Sequence, residues 1–196
     1  MNILLITAHP NQKDSFTAGV VGRYRELSQN NPQTSLRVMD LYSPEWQQPY
    51  LTLGFGEEPE GKERQKRIQA EISRADELVF VHPLWWGGPP AVLKNWLDWN
   101  LSSGFAFKHE KGRSELQKRL WPLPSKRLLS KKTGKVFITG DGQFWAYLGL
   151  GLPFLVIWAA FIFLYTGIRP RSLRYFGGMM FRDKTETAEI LDSITL

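Results

Sequence analysis

The feature that most constrains the fold is a regular alternation of short apolar runs with helical segments along the 196 residues. Five segments have the length of a β-strand, of which the first and third are continuous apolar runs, and each is followed by a segment with helical character. The predicted strands are residues 3–8, 36–42, 78–82, 135–139 and 171–176. The predicted helices are residues 16–29, 62–75, 91–101, 154–165 and 184–191. Strict alternation predicts a parallel sheet with helices on both faces.

The number of strand–helix units indicates which parallel fold to expect. Five units within 196 residues match the flavodoxin-like, doubly wound α/β arrangement, a five-stranded parallel sheet with strand order 2-1-3-4-5. The length is sufficient for one domain with a substantial core and short for two. We therefore predict a single domain over residues 1–196.

Composition excludes several kinds of chemistry. The chain has no cysteine, which rules out disulfides, thiolate nucleophiles and iron–sulfur ligation by this chain. Its three histidines are not spaced as paired metal ligands, so we predict no metal site. The first residues lack the basic start and long apolar core of a secretory signal. A cytoplasmic location is expected, with association at the membrane periphery left open.

Positive charge is concentrated in one segment. The net charge is +6, and residues 108–135 hold ten lysines or arginines against two acids. Such a run is usually a solvated loop. It could also bind a nucleotide phosphate or an acidic membrane surface. We find no helix suited to reading DNA and no base-stacking module, so nucleic acid is not an expected partner.

A second segment carries no charge at all, from residue 143 to residue 168. About twenty apolar residues can span a bilayer, so a membrane helix is one interpretation. However, Gly149, Gly151 and Pro153 interrupt the first half and leave a helix of about twelve residues, which favours burial. We therefore predict a helix buried in the core or in a dimer interface.

Ligands of open parallel sheets bind beyond the carboxyl ends of the strands, near the switch in strand order. The loops after predicted strands 1, 3 and 4 converge there. In the first loop, Ser15 and Thr17 open a helix whose free amides attract anions, and His9 could donate to a phosphate. Ser15 could equally serve only as a helix cap, and His9 could simply end the strand.

The loop after the third strand combines bulky aromatic residues with turn-forming ones, in the stretch HPLWWGGPP. Pro83 ends the strand, and Gly87 allows the backbone to come close to a ligand. A planar ligand needs polar backbone groups at its edge and a flat apolar wall, which Trp85 or Trp86 can supply. We expect one of these two tryptophans to fill the core beneath the loop.

The loop after the fourth strand reads TGDG and provides glycine for close approach. It comprises Thr139, Gly140, Asp141 and Gly142. The negative Asp141 would repel a phosphate, so this loop is expected to meet an uncharged, hydrogen-bonding part of a ligand. A phosphate corner, an aromatic loop and a glycine loop at one edge of a sheet together predict a flavin site.

These segments resemble the flavodoxin-like NAD(P)H:quinone reductases, including the bacterial modulator-of-drug-activity and potassium-efflux ancillary reductases. AHPNQKDSF, DLY, HPLWWGGPPAVLKNWLDW, TGDG and GFAF carry the resemblance, over residues 3–178. It implies that the flavin contacts His9, Ser15, Phe16, Thr17, Pro83, Leu84, Trp85, Trp86, Gly87, Thr139, Gly140, Asp141 and Gly142. Trp85 stands where the family often has glutamine, and Asp141 where it has glycine.

The resemblance also implies an activity. The protein would pass hydride from NAD(P)H through FAD, or alternatively FMN, to a quinone or similar small acceptor. GFAF at 104–107 would reach the partner's site in a homodimer, placing Phe107 and His109 over its flavin, with Tyr147 nearby. No catalytic side chain is identified. The competing hypothesis is a non-catalytic regulatory or electron-transfer module that binds flavin beside a membrane partner.

Overall fold

A computed structural model describes residues 1–51, 59–109, 123–124 and 126–196. Its principal strands are β1 (Asn2–Thr7), β2 (Ser35–Asp40), β3 (Glu77–Pro83), β6 (Thr133–Thr139) and β7 (Arg169–Phe176). Two short strands, β4 (Phe107–Lys108) and β5 (Lys126–Arg127), form a separate antiparallel pair. The helices are α1 (Phe16–Gln29), α2 (Pro59–Arg74), α3 (Ala91–Asn100), α4 (Pro153–Val156) and α5 (Lys184–Asp192).

The main sheet has the predicted topology. Its strand order is β2-β1-β3-β6-β7, and all four neighbouring pairs are parallel. Strands β6 and β7 are the fourth and fifth predicted strands, so the flavodoxin-like order 2-1-3-4-5 is confirmed. Every residue of β3 is buried, as expected for a central strand that helices cover on both faces.

Two separate clusters of buried side chains show that helices cover both faces of the sheet. On one face α1 and α5 pack against β1, β3 and β6 through a first cluster, which includes Val20, Val21, Tyr24, Phe137 and, at its edge, Leu191. On the other face α2, α3 and α4 pack through a second cluster, which includes Ile68, Ile72, Leu93, Trp96 and Phe154.

The uncharged segment forms two helices rather than one. A 3-10 helix covers Phe144–Leu150, and α4 continues directly into a π-helix, Ile157–Leu164. Trp158 and Phe163 of the π-helix are fully buried, whereas Phe161 is 66% exposed. No single helix in the described ranges has the length and apolarity to cross a membrane. The 3-10 helix and residues 153–164 reach that length only together, with a bend of 77° between them.

Candidate functional site

The three predicted loops do leave the sheet together. Backbone hydrogen bonds continue past the ends of the central strands: the Ala8 amide donates to Val81 O at 3.0 Å, and the Leu84 amide donates to Thr139 O at 2.7 Å. The carboxyl ends of β1, β3 and β6 are therefore level, because hydrogen-bonded partners lie side by side. The loops that follow them open on one edge of the sheet.

In the first loop, the side chain of Ser15 caps the start of α1. Its Oγ accepts from the Ala18 amide at 3.1 Å and donates to Asn11 O at 2.6 Å. The Asn11 side chain in turn accepts from the Lys13 and Asp14 amides, both at 3.0 Å. These bonds fix the loop so that it delivers α1 in one orientation, and the capping interpretation of Ser15 is confirmed.

The start of α1 retains unused donors. The first backbone bond of the helix runs from the Gly19 amide to Ser15 O, so the amides of Phe16 and Thr17 precede the helical ladder. The Thr17 hydroxyl is buried and lacks a hydrogen-bond partner within the part of the chain that the structure describes. A buried hydroxyl without a partner is costly, which indicates a place where a ligand oxygen belongs.

His9 lies at the mouth of the same loop. Its Nδ1 is held against the backbone of Asn11, 3.0 Å from the amide nitrogen and 2.9 Å from the carbonyl oxygen. The Nε2 atom is thus the ring nitrogen that a ligand would meet. His9 is partly exposed, as a residue that contacts an anion at the edge of the sheet should be.

The second loop is a tight hairpin turn. The Trp85 amide donates to Gly88 O at 3.0 Å, and the Gly88 amide donates to Trp85 O at 3.0 Å. The two central residues have positive φ, 51° at Trp86 and 77° at Gly87. Positive φ at both central positions defines a type I′ turn, in which asparagine–glycine is the favoured pair. The amides of Trp86 and Gly87 stay outside the hydrogen-bonded pair and are available at the edge.

The turn exposes both tryptophans. Trp85 is 44% exposed and Trp86 is fully exposed. The expectation that one of them fills the core beneath the loop is therefore wrong. The type I′ geometry explains this for Trp86, a central residue of the turn, and Trp85 is the residue that opens the turn. A left-handed conformation is uncommon for a bulky residue and costs free energy, which points to a use for the Trp86 ring outside the core.

Beneath this loop lies a residue that the sequence analysis did not assign. The imidazole of His82 is buried; its Nε2 accepts from the Trp158 indole at 3.0 Å, and its Nδ1–H donates to Pro83 O at 2.8 Å. Burial lowers the pKa of His82 to about 4. The neutral ring therefore ties the end of β3 to the π-helix. The sequence does not indicate this hydrogen bond, because His82 stands at the end of an apolar strand and Trp158 is far away in the chain.

The glycines of the third loop are in close contact with protein side chains. A Cβ on Gly140 would lie 2.6 Å from Tyr175 Oη, and one on Gly142 would lie 2.6 Å from Tyr147 Oη. Tyr175 also donates to Gly142 O at 2.6 Å. The close approach that these glycines permit is thus taken up by two tyrosine rings. Any ligand has to meet this loop by its other side, where Asp141 is exposed.

Tyr147 is brought to the site, as predicted. It lies on the 3-10 helix, with its ring centroid 5.7 Å from that of Tyr175 and in edge-to-face contact with Phe154. Burial, followed by the hydrogen bond with Tyr147, raises the pKa of Tyr175 above its usual value. The Tyr175 phenol is therefore neutral at physiological pH and donates to Gly142 O beside the third loop.

Phe107 and His109 are not brought to the three loops within one chain. Phe107 packs edge-to-face on Tyr165 at 4.8 Å between ring centroids, and His109 Nε2 lies 3.0 Å from Tyr165 Oη. Tyr165 directly precedes β7, so this cluster lies at the amino edge of the sheet. It borders an apolar groove of about 930 Å³ between α3 and the π-helix, which Phe161 also lines.

Hydrogen-bond donors suited to a flavin lie at two places on this edge of the sheet. The Thr17 hydroxyl and the amides at the start of α1 suit a phosphate, and the amides of Trp86 and Gly87 suit the polar edge of a planar ring. The exposed indole of Trp86 offers a flat apolar surface beside them. The basic segment is only partly within the described residues, since 110–122 and 125 lie outside them.

Comparison with known proteins agrees with the fold. The chain belongs to the family described as having a flavodoxin-like fold, whose family model matches residues 1–194. A solved structure of an FMN-dependent NADH-azoreductase from Bacillus anthracis, in complex with FMN, superposes with a TM-score of 0.73. It is 21% identical and covers 97% of this chain and 93% of its own, a likeness of fold.

Two curated relatives match over a shorter stretch. A protein from Haemophilus influenzae named as an uncharacterized NAD(P)H oxidoreductase is 39% identical over 117 residues, covering 58% of this chain and 57% of the relative. The glutathione-regulated potassium-efflux system ancillary protein KefF from Enterobacter is 32% identical over 118 residues, with coverage of 58% and 57%. The matched stretch thus spans little more than half the length of either relative.

Proposed function

We propose that this protein is a flavin-dependent NAD(P)H oxidoreductase that passes hydride from NAD(P)H through a bound flavin to a quinone or similar acceptor. One observation carries the proposal. The unused amides at the start of α1 and the Thr17 hydroxyl, which has no partner among the described residues, lie at the same sheet edge as the Trp85–Gly88 turn. The names of the Haemophilus and Bacillus proteins support the reaction class.

The flavin would supply the hydride chemistry, and the chain would bind and orient it. Thr17 and the neighbouring amides would hold the phosphate. The amides of Trp86 and Gly87 would bond the polar edge of the ring, with the indole of Trp86 against its face. No side chain is required as a nucleophile, which suits a chain without cysteine.

The flavin is FMN or FAD. The resemblance of the first loop to the quinone reductases implies FAD, whereas the Bacillus azoreductase is named for FMN. We take FMN as the first candidate because it rests on a protein that shares the fold over nearly the whole chain. Heat release of the cofactor and chromatography against both standards decides between them, and recovery of FAD alone would reverse the order.

We also propose that the enzyme is a homodimer. Phe107 and His109 lie at the amino edge of the sheet, so they can cover a flavin only in a second subunit. The groove that Phe161 lines offers an apolar surface for that contact. Sedimentation should give twice 22.6 kDa. Phe161→Asp should yield a monomer, and a monomeric parent protein would contradict the arrangement.

A second candidate function is a flavin-binding subunit that regulates a membrane protein. The similarity to KefF, named as an ancillary protein of a potassium-efflux system, favours it. Rapid reduction of the bound flavin by NADH or NADPH, followed by reoxidation with quinone, supports the enzyme. Flavin binding without reduction by either nucleotide supports the second candidate.

The phosphate corner can be tested with a conservative pair of variants. Thr17→Val removes a buried hydroxyl that has no partner among the described residues, so the fold should be unaffected or slightly stabilised. Flavin affinity should fall. Thr166→Val is the control, because that buried hydroxyl donates to Ile162 O at 2.7 Å, within the π-helix. It should lower stability and leave flavin affinity unchanged; the reverse pattern would refute the assignment of Thr17.

A further inference from the structure

A ring of large apolar side chains lies exposed beside the three loops. We call it the apolar rim; it consists of Phe144, Trp145, Leu148, Leu150, Met180 and Phe181. Trp145 is 72% exposed, Leu150 71% and Phe181 79%. Soluble proteins rarely expose a contiguous apolar patch of this kind without a function.

The members of the rim come from two segments that touch. Four belong to the 3-10 helix, and Met180 and Phe181 belong to the short turn Met179–Phe181. A Cβ on Gly178 would lie 2.5 Å from the side chain of Gln143, and the Met179 amide donates to Gly140 O at 3.2 Å. The turn is thus held against the start of the helix, and the rim is one surface.

The fold does not bury the helix that carries most of the rim. None of its seven residues is buried. It ends at Gly151 with φ 73°, and the next residue, Leu152, is forced to φ 50°. Leu152 and Trp86 are the two non-glycine residues with positive φ in the described part of the chain, and both flank this edge. The strain holds the apolar helix outward rather than onto the core.

The chemistry of the rim fits lipid better than a protein partner. Its side chains protrude from separate short segments instead of forming the flat stripe of a packing helix. Residues 143–168 carry no charge, so the helix can enter the headgroup region without burying an ion. Tryptophan prefers that region, where its ring is apolar and its N–H meets water. The bend of 77° prevents the segment from crossing as one helix.

The charged residues that border the rim are exposed or partly exposed to solvent. Asp141 and Asp183 lie at its edge and are exposed, as is Lys184, and Arg182 is partly exposed. Locally these charges cancel. The net charge of +6 on the whole chain adds a long-range attraction to anionic lipid. Apolar insertion, rather than local charge, is therefore the main source of binding.

We propose that the apolar rim docks the protein on the surface of a lipid bilayer, with the carboxyl edge of the sheet facing the membrane. The docked orientation turns the mouth of the three-loop site towards the bilayer. If the proposed function holds, on which this consequence rests, the acceptor is a quinone dissolved in lipid. It would reach the site past Tyr147, which lies on the same 3-10 helix.

The test is co-sedimentation with vesicles of phosphatidylcholine, alone and with phosphatidylserine, using the full chain with and without added flavin. The parent protein should sediment with both, and more strongly with phosphatidylserine at low salt. Trp145→Ser with Leu150→Ser, and separately Met180→Ser with Phe181→Ser, should each weaken binding at least tenfold. Tyr50→Ser is the matched control, because Tyr50 is 74% exposed and belongs neither to the rim nor to the groove, and this variant should bind vesicles like the parent.

Thermal melting verifies that each variant is folded, and the two rim pairs lie on independent segments, so one misfolded variant leaves the other informative. A parent protein that stays in solution would overturn the proposal, as would rim variants that bind vesicles unchanged. A shift from dimer to monomer in the rim variants, with no vesicle binding by the parent, would make the rim a subunit interface. Vesicle binding by a protein that retains no flavin would support docking and refute the proposed function.

Discussion

Two pairs of tryptophans within nineteen residues have opposite environments. Trp85 and Trp86 lie in the turn after β3, where the first is half exposed and the second wholly so. Trp96 and Trp99, one helix further on, are 2% and 4% exposed. The backbone accounts for the difference: a type I′ turn projects its central residues outward, whereas α3 turns one face to the sheet. Burial of tryptophan is thus set by the element that carries it.

The buried pair stabilises the fold. Trp96 packs edge-to-face on Phe80 at 5.9 Å between ring centroids, in the second core cluster. Trp99 donates its indole N–H to Pro49 O at 2.8 Å. The left-handed backbone at Trp86 costs free energy in the folded protein. We propose that flavin binding offsets this cost.

The largest effect is expected at Trp96. Trp96→Ala removes a large ring from the core and should lower the free energy of unfolding by about 3–5 kcal/mol. Flavin affinity per folded molecule should stay close to that of the parent. Thermal melting and flavin titration measure the two quantities. A loss of flavin affinity in a variant that melts normally would mean that the helix, and not the turn, holds the ligand.

The next largest effect is expected at Trp158, a buried tryptophan that is hydrogen-bonded to a histidine. Trp158 is buried and hydrogen-bonded to His82, whose pKa falls from 6.5 to about 4. The unfolded chain therefore binds an extra proton between these values. The contribution of His82 to the free energy of unfolding is fully present above pH 6.5. It is lost as the pH falls towards 4, and the total loss is about 3 kcal/mol.

Melting temperatures between pH 7 and pH 4.5 test this expectation against His82→Gln. The glutamine carbonyl can still accept from Trp158 but does not titrate, so the variant should lose less stability on acidification. If both proteins lose stability equally, other groups cause the acid sensitivity.

The smallest effect concerns the backbone of the turn itself. Trp86→Asn places a residue that tolerates positive φ at a position with φ 51°. We expect the flavin-free protein to gain roughly 0.5–1 kcal/mol, by relief of strain. Trp85→Asn is the control and should bring no gain, because Trp85 is not among the residues with positive φ. A less stable Trp86→Asn variant would show that the indole supports the fold.

Much of this molecule could be predicted from its sequence, for physical reasons. Strands β1 and β3 are apolar runs, and all five strands alternate with helical segments, so the number and order of the strands followed from the alternation. The bounds of α1 were predicted as observed, because Ser15 and Asn30 mark its ends. Convergence of the three loops then followed from the strand order.

The remaining features depend on contacts that a sequence does not display. The turn at Trp86 could not be foreseen, since tryptophan is unusual at positive φ. The glycines at 140 and 142 were assigned to ligand approach, although Tyr175, distant in sequence, and Tyr147 occupy that space. The hydrogen bond between Trp158 and His82 likewise joins residues that are far apart in the sequence.

The central claim is that the turn presents Trp86 to a flavin. Titration of flavin-free protein with FMN and FAD, followed by flavin fluorescence, tests it most directly when parent and Trp86→Ala are compared. Loss of the stacking ring should weaken binding by about 1–3 kcal/mol, by analogy with aromatic–base stacking, while the melting temperature stays the same. Equal flavin affinity in the two proteins, or no binding of either flavin by the parent, would contradict the account.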